Sequence, residues 1–295
     1  MSRAPYALIE VAMVALFLLA LVDAGRRGRP AVLELLSAVP FGLLLEQGDI
    51  MIFGSYAYNQ AFFLKIGAVP IAIALAWAMI IRSCMGISDR AGVPAHLAPL
   101  ADALLAIILD LSFDTIAIRQ GLWHWNIHLD QGFFGVPAGN YYAWLFVALG
   151  FSAWTRVVRR STRTRPSAGW LQLLVPLPAY ATLLAAMIPF IALEKAFFAH
   201  PGGGFPTFGG TLILFAALSA RPLIRGRARL AASSSAPLLP RLALHGYALL
   251  AGVLLGIFSH LPALLAVSLA MLGIEVWLTG APKPELPALV QRDVA

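Results

Sequence analysis

Long, nearly uncharged apolar stretches dominate this chain and limit the folds open to it. Hydrophobic residues make up 60% of its 295 residues, and charged residues only 12%. Stretches such as 97–118 and 241–259 are long enough to cross about 30 Å of hydrocarbon as helices. The short alternating segments of a transmembrane β-barrel are absent. The sequence therefore predicts an all-α, polytopic transmembrane helical bundle.

The apolar stretches define nine candidate helices, or eight if the last two form one. They cover approximately residues 6–24, 31–47, 65–83, 97–118, 138–158, 169–194, 206–222, 240–259 and 262–279. Only His260-Leu261-Pro262 separates the last two. We expect one transmembrane domain over 1–280, a flexible loop around the serines at 233–235 and a cytoplasmic tail at 281–295.

Basic residues are distributed unequally between the connectors of this bundle. Of the 21 Lys and Arg residues, 17 fall on one side, and the four on the other are Arg3, Lys65, Arg119 and Lys195. Lys and Arg concentrate in cytoplasmic loops, so we expect the N-terminus outside and the C-terminus in the cytoplasm. This bias also accounts for the net charge of +7, without nucleic acid as a partner.

One connector is unusually rich in aromatic and hydrogen-bonding residues. Residues 119–144 contain two histidines, one Asp, several amides and a Gly-Val-Pro turn. In or just beyond this segment lie six aromatic residues other than Phe: Trp123, Trp125, Tyr141, Tyr142, Trp144 and Trp154. An aromatic belt at headgroup depth would explain the rings alone. The added polar groups favour a site at the non-cytoplasmic surface.

The helix before this connector carries a pair of carboxyl groups, Asp110 and Asp114. Four residues apart on a helix, they share one face at a separation of about 6 Å. Ionisable residues inside a spanning segment indicate function by default. Two carboxyl groups in one buried site do not both ionise readily, so one can serve as a general acid. The alternative is structural: Asp114 pairs with Arg119, and Asp110 bonds a neighbouring helix.

Other candidate groups differ in strength. Glu46 ends the second predicted helix and is followed by Tyr56 and Tyr58, which could line a pocket with it. Glu194 and Glu275 lie near helix ends, where a long side chain can reach water, and His245 is expected at the membrane interface. No metal site is expected, because the pair His124 and His128 has no second histidine pair. No nucleotide motif is present, and the single cysteine, Cys84, excludes an internal disulfide.

Two blocks of residues resemble the family of integral membrane carotenoid 1,2-hydratases and bisanhydrobacterioruberin hydratases (CruF type). The first block contains Glu46-x-Gly48, Tyr56-x-Tyr58, Gly67-Ala-Val-Pro70 and Trp77. The second contains Asp102, Asp114, Gly121-Leu-Trp123-x-Trp125, Gly135-Val-Pro137, Asn140 and Trp144. The resemblance covers about residues 46–144, and the C-terminal half matches mainly by hydropathy.

The resemblance implies a hydratase without a cofactor, which adds water to the terminal C1=C2 bond of an acyclic or monocyclic carotenoid. Its catalytic residues are then expected among Asp114, Asp110 and Glu46, with a tertiary carbocation as intermediate. The residues expected to bind substrate are Tyr56, Tyr58, Trp123, Trp125, Asn140, Tyr141 and Trp144. We expect a bacterial or archaeal cytoplasmic membrane, with membrane lipid and other carotenoid-pathway enzymes as candidate partners.

Three alternatives stay open at the level of sequence. A carbocation formed by protonation can lose a proton instead of capturing water, which would make the chain a cyclase or isomerase. A carotenoid or lipid carrier or transporter is a different class, although transporters more often show inverted repeats and broken helices in both halves. Asp110-x-x-x-Asp114 is also similar to an Asp-rich motif of membrane prenyltransferases. That family needs a second such motif, and residues 195–274 contain no Asp or Glu.

Overall fold

The computed structural model describes residues 4–231 and 238–280, which form a bundle of helices. The longer helices are α1 (Ala4–Arg27), α2 (Arg29–Ile52), α3 (Ile71–Ala91), α4 (Ala98–Arg119), α5 (Ala138–Thr164), α6 (Pro176–Phe197), α7 (Phe205–Arg225), α9 (Leu239–Leu254) and α11 (Pro262–Thr279). Shorter elements are the 3-10 helix η1 (Pro166–Leu174), α8 (Arg227–Ala231), α10 (Ile257–His260) and the strands β1 (Tyr56–Tyr58), β2 (Lys65–Ile66), β3 (Val69–Pro70) and β4 (Trp123–Trp125).

The predicted fold class, an all-α polytopic bundle, is confirmed. Six helices are long and apolar enough to cross a membrane: α1, α2, α3, α6, α7 and α11. Helices α4 and α5 have 22 and 27 residues, so their length would also allow them to cross a membrane. Helix α4 lies at the centre of the bundle, where it packs against α3, α5, α7, α9 and α11. Its carboxyl groups are therefore enclosed by protein.

Three predicted helix boundaries are wrong, and glycine or proline explains each. Residues 65–70 form the β2–β3 hairpin, which turns at Gly67 with a positive φ of 59°, so α3 begins only at Ile71. The stretch predicted at 169–194 is divided between η1 and α6, because Pro176 lacks the N–H that would continue a helix. The stretch predicted at 240–259 is divided between α9 and α10 at Gly256. The predicted tail at 281–295 and the serines at 233–235 lie outside the described residues.

The basic connectors meet at one end of the bundle, which we call the arginine end. There Arg159 pairs with Glu34 of α2 at 2.6 Å and with Asp89 of α3 at 2.6 Å. Arg156 pairs with Asp89 and with Asp102 of α4, the latter at 3.1 Å. These bridges tie four helices together. The connectors 53–70, 120–137 and 198–204 form the opposite end, which we call the site end.

The C-terminal helices contain a buried ion pair that the sequence did not indicate. Arg241 of α9 and Glu275 of α11 are both 0% exposed, and the guanidinium donates to both carboxylate oxygens at 2.6 Å. Arg241 also donates to the Leu105 carbonyl of α4 at 2.7 Å. Glu275 and His245 were expected at hydrated positions, and both expectations are wrong because these side chains pack between helices. Arg241 therefore fastens the C-terminal helices to α4.

Candidate active site

A small antiparallel sheet closes the site end of the bundle and supplies hydrogen-bond donors to two carboxylates. Strands β1 and β4 pair with Tyr56 opposite Trp125 and Tyr58 opposite Trp123. Alternate residues of a strand point to the same face, so these four rings face inward while His124 is exposed. The rings pack across the strands, with centroid distances of 4.8 Å for Tyr56–Trp125 and 5.8 Å for Tyr58–Trp123.

The Glu46 carboxylate, on α2, is buried among three aromatic donors. Tyr56 and Tyr58 donate their hydroxyl protons to Oε2, the latter at 2.5 Å. Trp77 of α3 donates its indole N–H to Oε1 at 2.5 Å. Burial, together with the neighbouring Glu46 carboxylate, raises the pKa of both tyrosines above the ordinary value for a phenol. Both therefore stay protonated and act as donors to Glu46.

A second carboxyl cluster lies on α4. The amide nitrogen of Asn140, on α5, donates to Asp114 Oδ2 at 2.8 Å and to Asp110 Oδ2 at 3.0 Å. The indole N–H of Trp123 donates to Asp114 Oδ1 at 2.6 Å. Asp110 Oδ1 is buried without a hydrogen-bond partner. Because both carboxyl groups reach the same nitrogen atom, they form one close pair.

The two clusters lie on the walls of one cavity of about 510 Å³. Four carboxyl groups line it, those of Glu46, Asp49, Asp114 and Glu194, whereas Asp110 is not part of the lining. Trp77 and Trp144 stack on one side, with ring centroids 4.2 Å apart. The aromatic residues that line the cavity are Phe53, Tyr56, Tyr58, Trp77, Phe113, Trp123, Trp125, Trp144, Tyr180 and Phe190.

Most of the residues expected to bind substrate face this cavity: Tyr56, Tyr58, Trp123, Trp125, Asn140 and Trp144. Tyr141 does not. It is fully buried on the other side of α5, where its ring packs against Phe133 and Phe208. Helical geometry explains the difference, because Asn140 and Trp144 are four residues apart on one face and Tyr141 is turned by about 100° from Asn140. Tyr141 therefore has no contact with the cavity, although it was expected to bind substrate.

The ion pair between Asp114 and Arg119, which was the structural alternative for Asp114, is absent. Arg119 does not pair with it, and instead donates to the backbone carbonyls of Thr115 at 2.8 Å and Phe134 at 2.7 Å. Every donor recorded to Asp114 and Glu46 is electrically neutral. Among the described residues that line the cavity there is no Lys, Arg or His. These carboxyl groups thus face an enclosed, aromatic space without a positive side chain to hold them ionised.

Sequence reasoning gave no site role to several cavity residues, of which four bear on the chemistry or the shape of the site. Trp77 bonds Glu46, Asp49 accepts a hydrogen bond from Ser55 at 2.7 Å, and Tyr180 and Glu194 belong to α6. The sequence did carry a signal for Trp77, because an indole N–H inside an apolar helix needs a hydrogen-bond acceptor when it is buried. Tyr180 gave no signal, since its apolar surroundings look alike on every face, and Glu194 was expected to reach water at a helix end.

The cavity combines a close carboxyl pair, a third carboxylate and aromatic walls, which suits proton transfer to an apolar ligand. A family profile described as carotenoid biosynthesis protein matches residues 3–201, a range that contains every residue lining the cavity except Gly202. No curated protein and no solved structure matches the chain. Together with the six apolar helices, this match makes the chain a membrane protein with a role in carotenoid biosynthesis. Since the profile covers well over half of its length, the chain belongs to the carotenoid biosynthesis protein family.

Proposed function

We propose that the protein adds water to the terminal C1=C2 bond of an acyclic or monocyclic carotenoid. The observation that carries this proposal is the Asp110–Asn140–Asp114 cluster, in which a close carboxyl pair has only neutral donors and borders an aromatic cavity. Such a pair can hold a proton and deliver it to an alkene. The family assignment supplies the class of ligand.

The reaction begins with proton transfer from the carboxyl pair to C2 of the alkene. The π electrons form the new C–H bond, which leaves a tertiary cation at C1. A water oxygen then donates an electron pair to C1, and the oxonium loses one proton, so the sum is one water added. Asp114 is the donor that faces the cavity, and Asp110 shares the proton through its position beside Asn140.

The remaining lining residues suit the later steps. Ring faces attract a cation with about 2 kcal/mol when water is excluded, and Trp77 and Trp144 stack together at the cavity wall. Glu46 is fixed by three donors, and its carboxylate can orient the attacking water and accept its proton. The proposal requires no metal, flavin or nucleotide.

The proposed setting is a bacterial or archaeal cytoplasmic membrane, with the site end of the bundle outside. The support is the collection of basic side chains at the arginine end, because cytoplasmic loops favour Lys and Arg. Arg241 adds nothing to this bias, because it is buried in an ion pair. A carotenoid in the outer half of the bilayer would then lie at the depth of the cavity.

Pigment analysis tests the proposed reaction. The protein is produced in a bacterium that makes lycopene, and in others that make γ-carotene or a C50 precursor. We expect a product heavier than its precursor by one or two water molecules. Growth in ¹⁸O-labelled water should place the label in the new hydroxyl group.

Two results would contradict hydration. A product of unchanged mass with a new ring or a moved double bond would indicate a cyclase or isomerase, in which the cation loses a proton. No new pigment from any of the three precursors, with the protein present in the membrane, would remove the hydratase function.

A further inference from the structure

Helix α6 lines the cavity over a greater length than any other helix. Its cavity face runs from Tyr180 to Glu194 through positions 183, 184, 187, 190 and 191, a spacing that marks a single helix face. The cavity faces of α3 and α5 cover only residues 73–80 and 139–147. At about 1.5 Å per residue, the α6 face is about 20 Å long and the other two about 10 Å. Helix α6 therefore extends beyond the carboxyl groups.

The inner end of this face is closed against α2. The Tyr180 hydroxyl lies so close to Gly48 that a Cβ on Gly48 would be 1.9 Å from it. Any larger residue at position 48 would require the phenol to move. Leu183, next on the same face, is buried. The two helices thus meet at Tyr180, and the cavity has a floor there.

The outer end of the face is open. Only three of the described residues that line the cavity are exposed, and all lie at the site end: Phe53, Asn126 and Pro201. Between this opening and Tyr180, Asp49 of α2 and Leu184, Met187 and Ile191 of α6 are half-buried, whereas Glu46 and Phe190 are buried. The cavity therefore runs along α6 from Tyr180 to the surface beside Phe53, and we call this part of it the slit.

We propose that this slit is the binding track of an extended, linear polyene. One end group lies between Glu46 and Asp114, and the rest of the chain follows α6 outward and leaves the protein beside Phe53, where α2 has ended. Leu184, Met187 and Ile191 offer an apolar wall without hydrogen-bond donors, which suits a hydrocarbon chain and no polar ligand. The inference rests on the proposed function for the identity of the ligand, and adds where its chain lies.

The volume of the cavity is consistent with this arrangement. About 510 Å³ is in the range of a pocket for a small molecule, whereas a carotenoid is an extended chain that must continue outside the enclosed part. The slit provides that continuation at the level where α2 ends and Phe53 becomes 41% exposed. The end group is enclosed with the carboxyl groups while the polyene stays in an apolar medium.

Photo-crosslinking tests the track without any need for turnover. A benzophenone amino acid replaces Ile191 or Met187 on the cavity face of α6, or Ala143 inside the cavity. The matched control is Ile188, which is 70% exposed on another face of α6. Membranes that contain lycopene are irradiated, the protein is purified under denaturing conditions, and covalently bound carotenoid is measured by absorbance.

We expect several-fold more bound pigment from positions 191, 187 and 143 than from 188. Equal labelling from 191 and 188 would overturn the track, because it would show contact with bulk carotenoid only. Labelling from 143 without labelling from 191 would overturn the track and leave the proposed function standing. Labelling no greater than background from 143, 187 and 191 alike would overturn both, since no carotenoid would occupy the cavity.

Substitutions that narrow the slit test the track a second time, through the rate of carotenoid conversion instead of crosslinking. Ile191→Trp places a large ring in the track, whereas Ile188→Trp places the same ring in lipid. We expect conversion of a linear carotenoid to fall about tenfold with Ile191→Trp, as for overpacking of a filled space, and to stay unchanged with Ile188→Trp. Equal rates in the two variants, at equal amounts of membrane protein, would overturn the track.

Discussion

Buried carboxyl groups at the two ends of this bundle have two different kinds of hydrogen-bond partner. At the arginine end and among the C-terminal helices, every buried carboxylate described above has an arginine partner: Glu34, Asp102 and Glu275. At the site end, Glu46, Asp110 and Asp114 have only phenol, indole and amide donors. The same residue types therefore occupy two electrostatic environments within one helix bundle.

The difference separates structural carboxylates from chemical ones. An arginine holds its partner ionised and contributes to packing, and removing one member leaves an uncompensated buried charge. Neutral donors orient a carboxyl group and satisfy its oxygens, yet they leave it free to carry or release a proton. Glu10 is a third case: it accepts backbone N–H groups of Phe63 and Leu64 and fixes the connector between α2 and α3.

The largest effect on stability is expected from Arg241→Met. This change takes the arginine from the buried Glu275 and leaves only His245 Nε2 nearby, at 3.9 Å; loss of one member of a buried pair costs about 3–5 kcal/mol. The thermal transition of purified protein in detergent should fall sharply. The double variant Arg241→Met with Glu275→Leu should recover most of the loss, because no charge is left buried. A single variant as stable as the parent would remove the structural role of this pair.

A smaller effect is expected from Glu46→Gln at the site end. The variant keeps the shape of the side chain but turns its NH₂ group toward donors, so at least one of the three loses its acceptor at a cost of about 1–3 kcal/mol. Water delivery should suffer as well, so conversion of the carotenoid should decrease more than the amount of folded protein. The measurement is hydrated pigment per unit of membrane protein. Unchanged conversion would remove Glu46 from the reaction.

Tyr58→Phe is the matched, milder change at the same carboxylate. Glu46 keeps Tyr56 and Trp77 as donors, and the ring still packs against Trp123. We expect a loss of about 1 kcal/mol in stability and a modest decrease in conversion. A loss as large as that of Glu46→Gln would show that one phenol alone sets the position of the carboxylate.

The smallest effect is expected from Asp23→Asn on α1. Asp23 pairs with Arg27 at 2.9 Å, one turn away on the same helix. Such a partly exposed pair contributes about 0–1 kcal/mol, so the thermal transition should hardly change. A loss comparable to that of Arg241→Met would show that burial does not decide how much an arginine–carboxylate pair contributes to stability.

Helices were predicted correctly where the length and hydropathy of a stretch determine its structure. The predictions failed where prolines, glycines or pairing between distant segments determine where a helix begins or is interrupted. The carboxyl pair followed from the spacing of Asp110 and Asp114 alone. The strands β1 and β4 had a signal, because the aromatic residues of Tyr56-x-Tyr58 and Trp123-x-Trp125 alternate with period two. That the two strands pair with each other could not be predicted from either segment alone. The Arg241–Glu275 pair had none, because each partner looks like an ordinary charge near a helix end.

The most direct measurement compares two aspartates on the same helix, α4. Asp114→Asn changes a carboxyl group with neutral donors, and Asp102→Asn changes one that pairs with Arg156. Each variant is produced with a carotenoid precursor, and the hydrated pigment per folded protein and the thermal transition are measured. We predict that Asp114→Asn lowers hydration by about 10²–10⁴-fold, while its stability falls by about 1–3 kcal/mol because either Trp123 or Asn140 loses its acceptor. Asp102→Asn should lower stability and retain hydration per folded molecule. Full hydration with Asp114→Asn, or loss of hydration per folded molecule only with Asp102→Asn, would contradict the assignment of the proton donor to the site end.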